Sequence, residues 1–375
     1  MYYIFETQKI PSTSYKTYTM DTVQYINNIN YINRHIFSLA DCMKPWMYDF
    51  RIILYKNNKN IMMSEKYNFL NLDVIKKFKV RITPDYIYTL CVNRRIKELN
   101  YLKNTSEFMD IVEKLRSKDL NGYAFDMLYN ISNVLSANGY VDILELLFNS
   151  KLLFGYDNNA IDNASANGHI HVLEWWKNSS LQLKYSSNAM TYASAHGHVH
   201  VLDWWINSGL SLKYDEYNLL ESASMYGHVK VLDWLINCKL NKYDKYPIYL
   251  VLCSASRYGQ VKVLEWCLNN KSKLLFEYDN KPLEYASANG HIHVLNWWLT
   301  SKLQLKYDEK ALERASLDGR INVLEWWKDS GLLLKYNKTS LDSILDRSSK
   351  NVLRWWKKSG INVNYWFKLK LMLYA

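Results

Sequence analysis

Ala164-Ser165-Ala166-Asn167-Gly168-His169-Ile170-His171-Val172-Leu173-Glu174-Trp175-Trp176-Lys177-Asn178 decides how the chain folds, because the same phrase returns downstream. It reappears as ASAHGHVHVLDWWIN from Ala193, ASMYGHVKVLDWLIN from Ala223, ASRYGQVKVLEWCLN from Ala255, ASANGHIHVLNWWLT from Ala286 and ASLDGRINVLEWWKD from Ala315. Gly139, Gly168, Gly197, Gly227, Gly259, Gly290 and Gly319 keep the register, with gaps of 29, 29, 30, 32, 31 and 29 residues. A weaker copy, SSKNVLRWWKKSGINVNY, runs to Tyr365. Self-similarity at a fixed period of this size is the mark of a repeat architecture.

Each copy reads as two helices joined by a tight turn, since apolar residues fall at helical spacing on both sides of the glycine. On the first helix the pairs Met190/Ala193, Leu220/Ala223, Leu283/Ala286 and Leu312/Ala315 lie three apart on one face. Alanine there lets neighbouring helices approach closely, and glycine after it suits a left-handed turn residue. The second helix carries Val172, Leu173, Trp175 and Trp176, with counterparts Val201, Leu202, Trp204 and Trp205, and Val323, Leu324, Trp326 and Trp327. Twelve of the fourteen tryptophans lie in these two columns. An aromatic demanded in every copy is scaffold: burying an indole at roughly 25 cal/mol per Å² gives neighbouring hairpins stability that one alone lacks.

The phrase A-S-x-x-G-H-h-x-V-L-x-W-W resembles the ankyrin repeat, whose A-A-x-x-G-H-x-x-V-V-x-L-L occupies the same positions. The resemblance covers about 245 residues, from Asn121 to Tyr365, and Lys281-Pro282-Leu283-Glu284 matches the family's T-P-L-H proline. It implies an all-α repeat solenoid of helical hairpins of about 29 residues, some four residues short of the usual 33. The missing residues fall where the family has a β-hairpin finger, replaced here by L-x-L-K-Y, so shortened β-fingers are expected. The wording G-H-h-x-V-L-E-W-W-K-N-S-G-L-x-L-K-Y, with the bias to Tyr, Asn, Ile and Lys, is similar to the ankyrin-repeat proteins of giant DNA viruses of the mimivirus type. That likeness implies a viral protein acting in an infected host cell, a scaffold or adaptor for protein–protein interaction.

Recognition should lie where the copies disagree, because a scaffold position repeats and a recognition position need not. The changing residues of the first helix and its turn are Asn163, Tyr192, His196, Tyr226, Arg257, Tyr258, Tyr285, Arg314 and Asp318. In the ankyrin family these places line the concave face, and Tyr and Arg often carry interface energy. A protein partner, host proteins included, is therefore expected there, with Tyr226, Arg257 and Tyr258 at the centre. Ordinary surface drift would also make such positions vary.

Other columns invite other chemistry. Tyr156, Tyr185, Tyr214, Tyr243, Tyr278, Tyr307, Tyr336 and Tyr365 close the L-x-L-K-Y stubs. With Lys184, Lys213, Lys242, Lys306 and Lys335 they offer a nucleic-acid-binding alternative, stacked rings beside cations. The same rings would equally cover helix ends. His169, His171, His196, His198, His200, His291 and His293 cluster around the glycines, yet no acid or cysteine completes a ligand set, so no metal or cofactor is expected. Neither a phosphate loop nor a nucleophile elbow nor an H-E-x-x-H pair is present, which predicts no enzyme. Glu174, Asp203, Asp233, Glu265 and Glu325 recur at one helical position and read as a solvated face.

The net charge of +11 is diffuse: residues 1–83 hold 12 basic and 6 acidic residues, the remainder 35 and 30. No basic groove stands out, so nucleic acid is not the favoured partner. Cys42, Cys91, Cys238, Cys253 and Cys267 form no C-x-x-C pair, which fits a reducing compartment, the host cytoplasm. The opening MYYIFETQKI lacks a secretory pattern and no run of about 18 apolar residues could span a bilayer, so a soluble monomer without a membrane role is expected. Residues 1–83, with the strand-like Phe50 to Tyr55 and a helix near Asp73 to Phe78, suggest a small α+β domain. Residues 84–120 read as a degenerate first repeat, with Arg94 at the glycine position, followed by a helical insertion over Asn104 to Lys118. The array then occupies 121–365, and 366–375 form a capping element.

Overall fold

The computed structural model describes residues 82–117, 122, 126, 128, 130–150, 155–238, 246–363 and 365–374. Residues 1–81 of the expected α+β domain, with its Phe50 to Tyr55 strand and its helix near Asp73 to Phe78, lie outside the described residues, as do Lys242 and Tyr243. The described chain is mainly helical with almost no strand, and it divides into two compact units. The first ends at Leu135 and takes in Tyr140–Tyr156; the second comprises Ser136–Gly139 and Asp157–Ala375.

In the first unit, α1 (Pro84–Val92) begins where the Thr83 side chain accepts from the Tyr86 amide at 3.2 Å, with proline in the first turn. Arg94 then takes φ 53°, the left-handed turn that glycine fills elsewhere, and leads into α2 (Ile96–Leu102). Helix α3 (Ser106–Arg116) follows, then α4 (Ile131–Ala137), whose last residues belong to the second unit, and α5 (Val141–Asn149). Cys91, Leu99, Leu102, Ile143 and Leu144 are buried, and Arg94 donates to Asp142 at 2.8 Å.

The second unit is a row of helical hairpins: α6 (Asn159–Ala166) with α7 (Ile170–Asn178), α8 (Asn188–Ala195) with α9 (Val199–Asn207), and α10 (Glu216–Tyr226) with α11 (Val229–Asn237). It continues through α12 (Tyr249–Tyr258) with α13 (Val261–Asn269), α14 (Lys281–Asn289) with α15 (Ile292–Thr300), α16 (Glu309–Leu317) with α17 (Ile321–Asp329), and α18 (Lys338–Arg347) with α19 (Lys350–Lys358). Helix α20 (Tyr365–Tyr374) packs on the last pair. First helices pack closely on first helices along the row and second helices only lightly on one another, the asymmetry expected when Ala164, Ala193, Ala223, Ala255, Ala286 and Ala315 sit at the crossing. The predicted Leu/Met and Ala stripe is buried throughout.

The joint inside each hairpin is a helix cap. At Gly227, φ is 80°, and the His228 amide donates back to the Ala223 carbonyl at 2.8 Å, closing the last turn in the Schellman manner. The stubs between hairpins form no β-hairpin among the described residues. A two-residue parallel pair, β1 (Tyr246–Pro247) with β2 (Leu274–Leu275), is the whole of the strand structure there, so the expected shortened β-fingers are reduced to extended chain. The stub carbonyls instead receive side-chain donors from the neighbouring repeat.

Candidate partner-binding surface

The recurrent columns are consumed by the joints between hairpins. Trp176, Trp205, Trp298, Trp327 and Trp356 are sealed from water, and each indole N–H donates to a serine one repeat earlier: Ser136, Ser165, Ser256, Ser287 and Ser316, at 2.9 to 3.1 Å. A buried indole needs such an acceptor, which explains the serine of A-S-x-x-G. Where Leu235 and Cys267 replace the tryptophan, Ser194 and Ser224 turn to the Leu219 and Leu220 carbonyls, both at 2.6 Å.

The other indole column is mostly half-exposed, and the acidic column, on a solvated face as expected, supplies most of its hydrogen-bond acceptors. Trp234 donates to Asp203 and Trp266 to Asp233, both at 2.6 Å, Trp355 to Glu325 at 2.7 Å, and Trp204 to Glu174. Asn296 fills the same role for Trp326. The acids are acceptors for the next repeat's indole, and an amide replaces a carboxylate there without loss of the bond.

The histidines close the open helix ends of the preceding repeat. Nε2 of His169 and His291 donates to the Ala137 and Arg257 carbonyls at 3.1 and 2.9 Å, while His171 and His293 reach the Gly139 and Gly259 carbonyls at 3.0 and 2.9 Å. A carbonyl only accepts, so these rings carry their proton on Nε2. Gln260 and Arg320 make the same contact to Met225 and Ala288, both at 2.9 Å, which shows that the position requires a long donor and not an imidazole. Burial first, and neighbouring imidazoles after it, hold His169, His198 and His291 below the usual histidine range. Among the described residues no three His, Cys, Asp or Glu side chains converge as a metal site would require.

Three members of the tyrosine column are likewise engaged. The rings of Tyr185, Tyr278 and Tyr307 lie 4.9, 5.2 and 5.0 Å from Trp205, Trp298 and Trp327. Their hydroxyls donate to the Ser211, Gln304 and Leu333 carbonyls. Lys213, Lys306 and Lys335 lie over the same rings at 4.7, 5.0 and 4.4 Å and donate to the tyrosine carbonyls. These three rings already pack against an indole and an ammonium, which competes with stacking on a base.

Most of the named positions that change between copies face outward on the first helices. Tyr192, His196, Tyr226, Arg257, Tyr258, Arg314 and Asp318 are exposed, Tyr226 at 57 %, whereas Asn163 and Tyr285 are half-buried. No family model matches the chain, and no curated protein matches it. The surface must therefore be read from its own chemistry.

Two pairs among these residues touch. His196 Nδ1 lies 2.8 Å from the Tyr192 carbonyl, and the Arg257 guanidinium lies 4.1 Å over the Tyr285 ring. Tyr285 is thus a platform that orients Arg257. Beside them is a residue the sequence reading passed over: Glu284, buried at 3 %, accepts from Lys281 at 3.0 Å and pairs with Arg314 at 3.5 Å. The hydrogen bond to Glu284 raises the Lys281 pKa. Its signal was Asp162, which fills the same place in an earlier copy, is buried at 1 %, and accepts from the Ser186 amide. Glu284 is shared between Lys281 and Arg314, and Arg257 has no carboxylate partner among the described residues. The cluster carries a surplus of positive charge on a rigid aromatic base.

Proposed function

We propose that this chain is a non-enzymatic scaffold of ankyrin type that holds a protein partner along its row of first helices. One contrast supports the reading: recurrent side chains are spent on joints between repeats, and most of the changing ones face outward on the tightly packed row. Arg257, held flat on Tyr285 and lacking an acid of its own, is the anchor, positioned for a partner carboxylate; Tyr226 and Tyr258 add aromatic contact area. Tyr192, His196, Arg314 and Asp318 extend the surface along the row. The phrasing shared with giant-virus ankyrin-repeat proteins favours a partner in the host cytoplasm.

The test is capture of partners from host-cell extract by the full chain, comparing wild type with the Tyr226→Ala, Arg257→Ala, Tyr258→Ala triple variant. All three residues are exposed, so the variant should keep its helicity and thermal midpoint while losing the captured protein by tenfold or more. Undiminished capture by the triple variant sinks this surface. A salt titration with labelled single-stranded RNA and DNA tests the competing reading, which requires affinity that falls steeply with salt.

A further inference from the structure

The last helix presents two apolar faces, and only one is covered. At 100° per residue, Phe367 and Leu371 of α20 fall on one side, buried against the final hairpin, with Phe367 5.6 Å from Trp356. On the opposite side Met372, Tyr365, Leu369, Leu373 and Trp366 form a continuous stripe about 120° wide. All five are exposed, Met372 at 68 % and Leu373 at 77 %. Lys368 and Lys370 flank the stripe, and the Lys370 ammonium lies 3.8 Å over the Trp366 ring, its stem running along the apolar surface and its charge at the edge.

Along α19 and α20 the charge is of one sign; the acids of α18, which packs on α20, are Asp342 and Asp346. Arg347, Lys350, Arg354, Lys357, Lys358, Lys368 and Lys370 are the charged side chains from position 347 onward, without an acid among them. On α19, Lys350, Arg354, Lys357 and Lys358 are exposed together on the face opposite Val352, Leu353 and Trp356. A second copy docking on this stripe would bring seven more cations against these seven, which argues against self-association.

We propose that the exposed stripe of α20 lies on an anionic lipid surface. Leu, Met, Trp and Tyr would enter the headgroup region while the flanking lysines and the α19 cations meet acidic headgroups. This is peripheral docking, distinct from crossing: among the described residues no helix is long and apolar enough to span a membrane. The expectation of no membrane role, drawn from the lack of a spanning run, does not reach a helix that lies in the interface.

The experiment is co-sedimentation of the full chain with phosphatidylcholine vesicles and with vesicles containing about one third phosphatidylserine. Wild type should bind the anionic vesicles at least tenfold more tightly than the neutral ones and release as salt rises. L369E/L373E, placed on solvent-facing positions, should lose that binding tenfold or more with circular dichroism and thermal midpoint unchanged; K357E/K358E should weaken it and flatten the salt dependence. Any of three results overturns the proposal: failure of wild type to bind anionic vesicles, equal binding to both vesicle types, or full binding by L369E/L373E, which would leave only nonspecific charge. A dimer that L369E/L373E returns to monomer, without vesicle binding, would assign the stripe to a second copy instead.

Discussion

At the scale of single residues, glycine is held at the turns for two reasons that add. Gly197 has φ 76°, strained for any side chain, and a β-carbon there would lie 2.6 Å from Nδ1 of His228 in the next repeat. Gly197→Ala therefore combines backbone strain with displacement of a ring from its seat, and should cost more than the roughly 1 kcal/mol of left-handed strain alone. Gly209, equally left-handed at φ 75° but with nothing within 4 Å of its would-be β-carbon, isolates the strain. Chemical denaturation of the two alanine variants checks this: equal losses would mean that the histidine contact adds nothing. The indole–serine pairs allow a similar dissection. Ser287→Ala leaves the buried Trp327 N–H without an acceptor and should cost about 1 to 3 kcal/mol. Trp327→Phe loses ring volume and the bond together, about 2 to 4 kcal/mol. Their combination should cost less than the sum, since the bond is lost only once; strict additivity in a double-mutant cycle would deny the coupling.

At the scale of elements, the caps tie stability to pH. His169, His198 and His291 are held below the unfolded histidine value of about 6.5, so the unfolded chain binds protons more readily than the folded one. Their contribution is complete above that value and is lost as pH falls through it. Thermal midpoints measured from neutral to about pH 5 should therefore drop, and the drop should shrink in His169→Gln/His291→Gln, because Gln260 shows that a glutamine amide reaches the same carbonyl. An unchanged pH slope in that variant would remove the histidines from the account. These staples also mark what the sequence made legible. Helix, turn and tryptophan scaffold were readable because their logic closes within about 30 residues of regular phase. The meaning of Glu174, Asp203 and Asp233 was not, because each accepts from an indole of the following copy, and a column read by itself conceals its partner in the next column. Glu284 was missed for a related reason: burial of an acid depends on the cations across the helix pair, and Arg314 comes from the next hairpin. Of the candidate surface, the helix positions were legible, and the stacking of Arg257 on Tyr285 was not.

At the scale of the second unit, stability is a sum of hairpins and joints, so the weakest joint decides where the row opens. Most joints contain a sealed indole, which removes about 200 Å² from water, and its bond to serine. At Leu235 both are missing, and in their place the Ser194 hydroxyl of α8 donates across the joint, to the Leu219 carbonyl of α10. Cys267 is also small, but its neighbour Trp266 is buried to 5 % exposure, deeper than the half-exposed Trp234 beside Leu235, and offsets part of the loss. The deficit at Leu235, about 1 to 2 kcal/mol of apolar burial, should therefore localise partial unfolding to α11. Native-state hydrogen exchange checks it directly: the amides of Val231–Ile236 should exchange roughly tenfold faster than those of Val323–Trp327, since 1.4 kcal/mol corresponds to a factor of ten. Uniform protection along the row would show that the first-helix packing alone sets cooperativity and that the indole layer adds no local stability. A minimum at α11 would mean that the row yields where α10 and α11 meet the preceding hairpin, so that a partner gripping Tyr192 on α8 and Tyr226 on α10 would bridge and stabilise its weakest joint.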